Sequence, residues 1–429
     1  MPIITTIILL FGLLGAGAWI GLSLMGVAIG NLYLFRSMPV DNLLAQSIWN
    51  TLTSPELVAL PLFILMAELL YRSTFTRNLF SSLEPWVRNL PGGLLHTNVL
   101  GCTLFALVSG SSAATTSAIG RITLPELEKR GYDRSVALGS LGGAGTLGFL
   151  IPPSIILIIY GVLTQTSILK LFAAGIVPGL VLAASFMGFL AIRSLFLPKI
   201  EAPATTRAEL WRIRIRGLPA LLPFLILMSV LLGSMYAGWA SPSEAASVAV
   251  AATCGIMACE RSLSWATVKD ACMGCARTVS MLGLIIGAAG FLSVSMGFLG
   301  LPQAIAAKIH AMQLSPIQLV IFLLLVYVVL GMFLEGMSML VMTLPIVVPL
   351  ILAAGYDKVW FGIFLVIVIE LAQITPPVGM NLFVIQGLTN EKMSRIAVAT
   401  LPFFSIMVIF VLVMALFPAL ISWLPTLIA

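Results

Sequence analysis

The sequence predicts an all-α polytopic membrane protein made of two inverted-topology repeats. Two observations carry that expectation: an apolar content that water cannot solvate, and a self-match at one fixed offset. Of 429 residues, 60% are hydrophobic and 9% are charged, and mean hydropathy is +1.12, far outside the balance of a soluble domain. A bilayer crossing needs roughly 20 apolar residues, and the chain supplies such runs one after another. Helices follow, because lipid offers no partner to an open strand edge.

The first run, Ile3 to Phe35, lacks a basic leader, exceeds a signal-peptide core and is interrupted at Gly15-Ala16-Gly17. It reads as a retained, kinked first membrane segment. The 22 Lys and Arg outnumber 16 Asp and Glu and cluster at Arg193, Lys199, Arg207, Arg212, Arg214 and Arg216. The positive-inside rule places that linker in the cytoplasm, and nucleic-acid binding is not expected. Cys272 and Cys275 have CxxC spacing without the βαβ context of a redox motif. No phosphate-cradling GxxxxGK sequence or His/carboxylate cluster occurs, so an ion gradient, not ATP, is expected to drive any work.

At an offset of 224 residues, Pro125, Gly131, Tyr132, Asp133, Pro152, Pro153 and Pro178 recur as Pro349, Gly355, Tyr356, Asp357, Pro376, Pro377 and Pro402. Prolines and glycines fix backbone geometry, so their recurrence is informative in a greasy sequence. Counting crossings from the linker puts Asp133 and Arg395 inside, and Asp357 outside. The halves are therefore inverted, the arrangement by which secondary transporters build one midplane site.

Each half carries a Gly/Ser-rich interruption and, roughly 40 residues on, a double-proline break. The first pair is Val108 to Thr116 and Gly142 to Ser154; the second is Gly331 to Ser338 and Gln373 to Asn381. Both pairs read as a re-entrant hairpin facing a broken helix, rich in the hard oxygens that suit an alkali cation. Glu68, Glu335 and Glu370 interrupt apolar runs, where an ionisable group is costly. Glu68 has Arg72 as an i,i+4 partner, and Glu335 is the favoured functional carboxylate. His96 and His310 read as interfacial. Val40 to Glu56 and Leu263 to Arg277 have the pattern of horizontal bracing helices, with loops as the alternative.

The stretches FALVSGSSAATTSAIG, GTLGFLIPPSIILIIYG, LGMFLEGMSMLVMTLPIVVP and ITPPVGMNLF resemble, in order and over nearly the whole chain, the large membrane subunit of tripartite ATP-independent periplasmic (TRAP) transporters, the DctM-like family. That resemblance implies an elevator-type transporter in a bacterial inner membrane. Its hairpins and broken helices bind sodium ions and move against a scaffold. A separate four-helix membrane subunit buttresses that scaffold, and a periplasmic binding protein delivers an organic acid such as a C4-dicarboxylate or sialic acid. Family members often carry Asp at the position of Glu335.

On that pattern residues 1–93 form N-terminal scaffold helices, 94–197 the first repeat, 198–216 the linker, 217–316 scaffold and arm helices, and 317–429 the second repeat. One sodium ion is expected at Ser109, Ser112 and the carbonyls near Gly145 and Pro152, and another between Gly331 to Gly336 and Thr375 to Gly379. The carboxylate is expected near Ser111, Thr115, Asn381 and Glu335. A stand-alone sodium/carboxylate symporter with the same hairpin logic is the alternative.

Overall fold

The computed structural model describes residues 2–36, 40–73, 75–196, 206–304, 307 and 315–428, all of them in helices or connections with no strand. Lys199, Lys308 and His310 lie outside the described residues. Seven described helices are long and apolar enough to cross a bilayer, or eight if the pair at 40–71, bent by 56°, is one crossing. The chain is an all-α polytopic membrane protein.

The opening segment differs from the single kinked crossing expected. Helices α1 (Pro2–Gly15) and α2 (Ile20–Phe35) are about 21 and about 24 Å long at 1.5 Å per residue, short of the roughly 30 Å hydrocarbon core. They fold back on each other. Gly17 takes φ +80° at the turn, Asn31 Nδ2 donates to Thr6 Oγ1 at 2.8 Å, and Gly26 and Gly30 face Leu13 and Leu9. A kink and a reversal both demand glycine, which is why the sequence did not separate them.

Helix α3 (Val40–Leu52) precedes α4 (Ala59–Tyr71) and α5 (Phe75–Val87). The first repeat follows as α6 (His96–Ser109), α7 (Ser112–Lys129), α8 (Arg134–Gly145), the single turn α9 (Leu147–Leu150), α10 (Ile155–Thr164) and α11 (Ile168–Ser194). Between the repeats run α12 (Arg207–Tyr236), α13 (Pro242–Cys259) and α14 (Trp265–Phe298). The basic residues Arg212, Arg214 and Arg216 therefore lie on the first turns of α12. Arg214 sits 5.2 Å from the Trp86 ring and 5.4 Å from that of Trp211, fastening α12 to α5 through cation–π contacts. The segment Leu263 to Arg277, expected as a separate brace, opens the 34-residue α14, about 51 Å long. Thr51 packs on Gly290 and Ile48 on Gly287 of α14.

The second repeat comprises α15 (Pro316–Gly331), α16 (Gly336–Ala353), α17 (Lys358–Gln373), α18 (Met380–Thr389) and α19 (Met393–Leu416), before the terminal α20 (Ala419–Ile428). Helices α7 and α16 begin and end at corresponding positions of the 224-residue repeat. Their N-caps, Ser111 and Glu335, correspond too, as do the caps Asp133 of α8 and Asp357 of α17. Gly131 and Gly355 take φ +75° and +86° in the preceding turns, where a side chain would be strained. The Pro152–Pro153 and Pro376–Pro377 bonds are both cis.

The two broken helices occupy the middle of the molecule. Every residue of α17 from Trp360 to Gln373 is buried, as expected of a helix apolar on all sides. On α8, Gly139 and Gly143 have no room for a side chain: a Cβ would stand 2.1 Å from Ala399 O and 2.4 Å from Phe403. These glycines let α19 of the second repeat lie directly on α8 of the first.

Candidate functional site between the hairpins and the broken helices

The first hairpin turns at Gly110, φ +51°, and its tip is pressed against the first break. A Cβ at Gly110 would lie 3.0 Å from Pro153 O, and one at Gly148 would lie 2.7 Å from Ser111 O and from Ser112 Cα. Both contacts require glycine, because the opposing atoms are backbone. The Ser111 side chain accepts from Ala114 N at 3.4 Å and caps α7. Ser109 Oγ and Thr115 Oγ1 are 2.6 Å apart. Those two hydroxyls thus bind each other within the tip.

Ser112 does something different. Its Oγ lies 2.9 Å from Gly145 O, at the end of α8, and 2.7 Å from Glu370 Oε2 on α17. Asn381 Nδ2, from α18, donates to the same oxygen at 2.9 Å. The other Glu370 oxygen accepts from Phe149 N at 2.9 Å. One hydroxyl therefore joins the hairpin, the first break and both halves of the second broken helix. Ser112, Thr116, Glu370 and Asn381 are each at most 1% exposed. Among the described residues the buried Thr116 Oγ1 and Asn381 Oδ1 have no hydrogen-bond partner, although buried polar atoms are ordinarily paired. Thr116 Oγ1 faces Gly145, where a Cβ would stand 1.9 Å away.

At the second hairpin tip Glu335 caps α16, accepting from Met337 N at 3.0 Å and Ser338 N at 3.3 Å. Gly336 faces Gln373 and Ile369, and the Phe149 ring lies 3.6 Å from its Cβ position, so Phe149 adjoins both loci. Gly331 is a packing position, with Ala372 Cβ 1.9 Å from where its own Cβ would be. The carbonyls of Gln373 and Thr375 fold onto Gly379, at 2.8 and 2.9 Å from a Cβ there. Thr375 Oγ1 is turned back to Leu371 O at 2.7 Å.

The structure thus gathers Ser112, Gly145 and Asn381 at one point. It keeps Ser109 with Thr115 inside the tip, and sets Glu335 and Gly336 at the second hairpin tip and Thr375 and Gly379 at the second break. Pro152 is buried in the first break beside α11, its ring 3.7 Å from the Cβ position of Gly175. Glu370, not Glu335, is the carboxylate wholly enclosed by both repeats. The signal for it was present, an ionisable residue inside an apolar run, but its partner Ser112 lies 258 positions away.

Two cavities lie at corresponding places in the repeats. One of about 340 Å³ is lined by Arg121, Leu124, Pro125, Arg134 and Leu388. The other, of about 230 Å³, is lined by their counterparts Pro345, Val348, Pro349, Lys358 and Thr164, and is closed by α14 at Ala289 and Ser293.

Other residues have structural roles. Glu68 pairs with Arg72, and His96 Nε2 bonds Pro91 O at 2.7 Å. Cys272 and Cys275 are free thiols. No group of three His, Cys, Asp or Glu side chains able to hold a metal occurs among the described residues.

Comparison with known proteins agrees with this architecture. Residues 7–420 match the family described as Tripartite ATP-independent periplasmic transporter, DctM component. The chain is 32% identical over 391 residues to the C4-dicarboxylate TRAP transporter large permease protein DctM of Pseudomonas aeruginosa, covering 89% of each. It is 30% identical over 430 residues to the isethionate TRAP transporter permease protein DctMQ of Oleidesulfovibrio alaskensis, covering 98% of this chain and 65% of that one. The solved YdaH transporter of Alcanivorax borkumensis shares the fold at TM-score 0.62 and 14% identity, over 87% of this chain and 86% of that one. With a family match spanning nearly all of a multi-pass helical chain, the protein belongs to the DctM family and is a TRAP transporter large permease, a transporter and not an enzyme.

Proposed function

We propose that the chain imports an organic acid across a bacterial inner membrane, driven by sodium, as the moving and scaffold-bearing subunit of a tripartite system. The observation that carries the reading is the junction at Ser112. Its neighbours include a helix-end carbonyl, a carboxylate and an amide, and two buried oxygens nearby have no partner among the described residues. Hard oxygens from hydroxyls, carbonyls and carboxylates are the ligands an alkali cation takes.

On this reading Ser112 and the Gly145 carbonyl hold the first ion, with Ser109 and the Pro152 carbonyl shaping the tip and the break around it. The region Gly331 to Gly336 and the carbonyls of Thr375 to Gly379 hold the second. Ser111, Thr115 and Glu335 line the gap between the tips where the acid's carboxylate binds, with Asn381 beside it. Ions and exposed helix N-termini offset the cost of desolvating that anion. The repeat-related cavities, one beside Arg121 and Arg134 and the other beside Lys358, support access from two sides by an elevator movement. A C4-dicarboxylate or a similar acid such as sialic acid is the substrate class, and the partners are a separate four-helix membrane subunit and a periplasmic binding protein.

The experiment is uptake of a panel of acids into proteoliposomes containing this chain with and without its small subunit, with and without the binding protein. Uptake that requires both partners supports the reading. Full uptake by the chain alone contradicts it and identifies a stand-alone symporter.

A further inference from the structure

Resting on the sodium reading above, we infer that the first ion site is shared between the two repeats, with Glu370 supplying its negative charge and Thr116 Oγ1 and Asn381 Oδ1 completing its oxygen shell. The argument begins with a proton count. Ser112 Oγ has one hydrogen and two acceptors, Gly145 O at 2.9 Å and Glu370 Oε2 at 2.7 Å, while its lone pairs take the Asn381 amide hydrogen. One acceptor is therefore left without a hydrogen.

Charge adds to the deficit. Glu370 is 1% exposed, and none of the ion pairs among the described residues includes it. Among the described residues its donors are Ser112 and Phe149 N, and two hydrogen bonds do not replace a countercharge for a buried carboxylate. Glu370 also lies in the last turn of α17, and Gly145 ends α8. Two negative helix ends thus lie beside the carboxylate, offset in part by the N-terminal ends of α7 at Ser112 and of the short α9, whose Phe149 N donates to it.

A cation answers all of this at once. A proton on Glu370 would supply the missing hydrogen but would leave Thr116 Oγ1 and Asn381 Oδ1 unpaired among the described residues. A monovalent cation takes Glu370, Ser112, Gly145 O and both orphaned oxygens, with a half-turn of the Asn381 amide presenting Oδ1 in place of Nδ2. The Gly145 position is kept free of a Cβ that would strike Thr116 Oγ1 at 1.9 Å. Because the ligands come from α7, α8, α17 and α18, ion binding would tie the hairpin of one repeat to the broken helix of the other. This assigns Asn381 to the ion, not to the substrate.

The test is radiotracer sodium binding to the purified complex of this chain with its small subunit, at constant ionic strength set with choline chloride. Wild type, Glu370→Gln, Glu370→Asp and Thr116→Val are compared, with folding checked by gel filtration and circular dichroism. The expected result is one fewer ion bound by E370Q at a concentration that saturates wild type. Half-saturation of that site should rise at least about tenfold, since ligand charge tunes cation affinity over decades. E370D retains the ion, and T116V binds it more weakly. Sodium binding by E370Q and T116V equal to that of wild type overturns the shared site while leaving sodium coupling intact. No sodium binding by wild type overturns the underlying reading itself.

Discussion

Arg134 and Lys358, which occupy the same position in the two repeats, each reach to the end of the other repeat's second half-helix. Arg134 Nε donates to Glu391 Oε1 at 2.7 Å, just beyond α18, and Lys358 Nζ donates to Thr164 O at 3.0 Å, the last residue of α10. Such reciprocal contacts are what a two-fold relation between halves produces. The clasps pin the outer ends of both broken helices and leave the breaks between them.

The Arg134 clasp has a pH signature. Hydrogen bonding to Arg134, helped by Arg395, holds the Glu391 carboxyl below its ordinary value of 4.5. A carboxylate depressed in the folded state contributes stability above its unfolded value and loses it as pH falls through the folded one. The gap in Tm between wild type and Glu391→Gln should therefore be widest near neutrality and should close below about pH 4.5. A gap independent of pH would show that the pair contributes no charge interaction.

Glycines where the hairpin tip meets the break should be sensitive and those facing open space should not. Gly148→Ala drives a Cβ into the backbone of Ser111 and Ser112, at a cost of about 1–3 kcal/mol, and should reduce uptake further by holding the tip away from the break. Gly188→Ala, with nothing within 4 Å, should leave both Tm and uptake near wild type. Equal effects of the two substitutions would refute the close contact.

Hydroxyl removal should sort the tip by role. Ser112→Ala strips a partner from Gly145, Glu370 and Asn381 together, costing about 1–3 kcal/mol, and should raise the sodium needed for half-maximal uptake more than Ser109→Ala. Ser109 bonds Thr115 within its own hairpin, so its loss should mainly loosen the tip. Thr375→Ala removes only a bond back to Leu371 O and should change sodium dependence least. The reverse ranking in sodium titrations of uptake would place the ion elsewhere.

How much of this was legible follows from how local each signal is. The double prolines, the Gly-Tyr-Asp turns and the serine-rich tip fix backbone geometry within a few residues, so the breaks and the repeat could be read directly. Glu68 declared its partner four positions on. Glu370 could not, since Ser112 meets it only when the repeats dock. Glu335 and Glu370 look alike in sequence, both being carboxylates in apolar runs. Only the fold shows one capping α16 and the other enclosed. The reversal at Gly17 was hidden because its proof, Asn31 on Thr6, is a contact between helices.

Topology gives a further prediction. If the repeats are inverted as the sequence predicts, Asp133 is cytoplasmic and Asp357 periplasmic, although both cap the helix after a Gly-Tyr-Asp turn. Cysteines at 133 and 357 in an otherwise cysteine-free chain should react with a membrane-impermeant maleimide from opposite faces. Labelling of both from the same face would refute the inversion and the two-sided cavities with it.

The central claim, that sodium entering at the hairpin–helix junctions drives substrate import, is tested most directly by initial uptake rates in proteoliposomes holding the chain, its small subunit and the binding protein, under an inward sodium gradient and under an equal potassium gradient. The account predicts rapid accumulation with sodium and a rate near background with potassium, whether or not a proton gradient is present. Undiminished accumulation in sodium-free buffer driven by a proton gradient alone would contradict it.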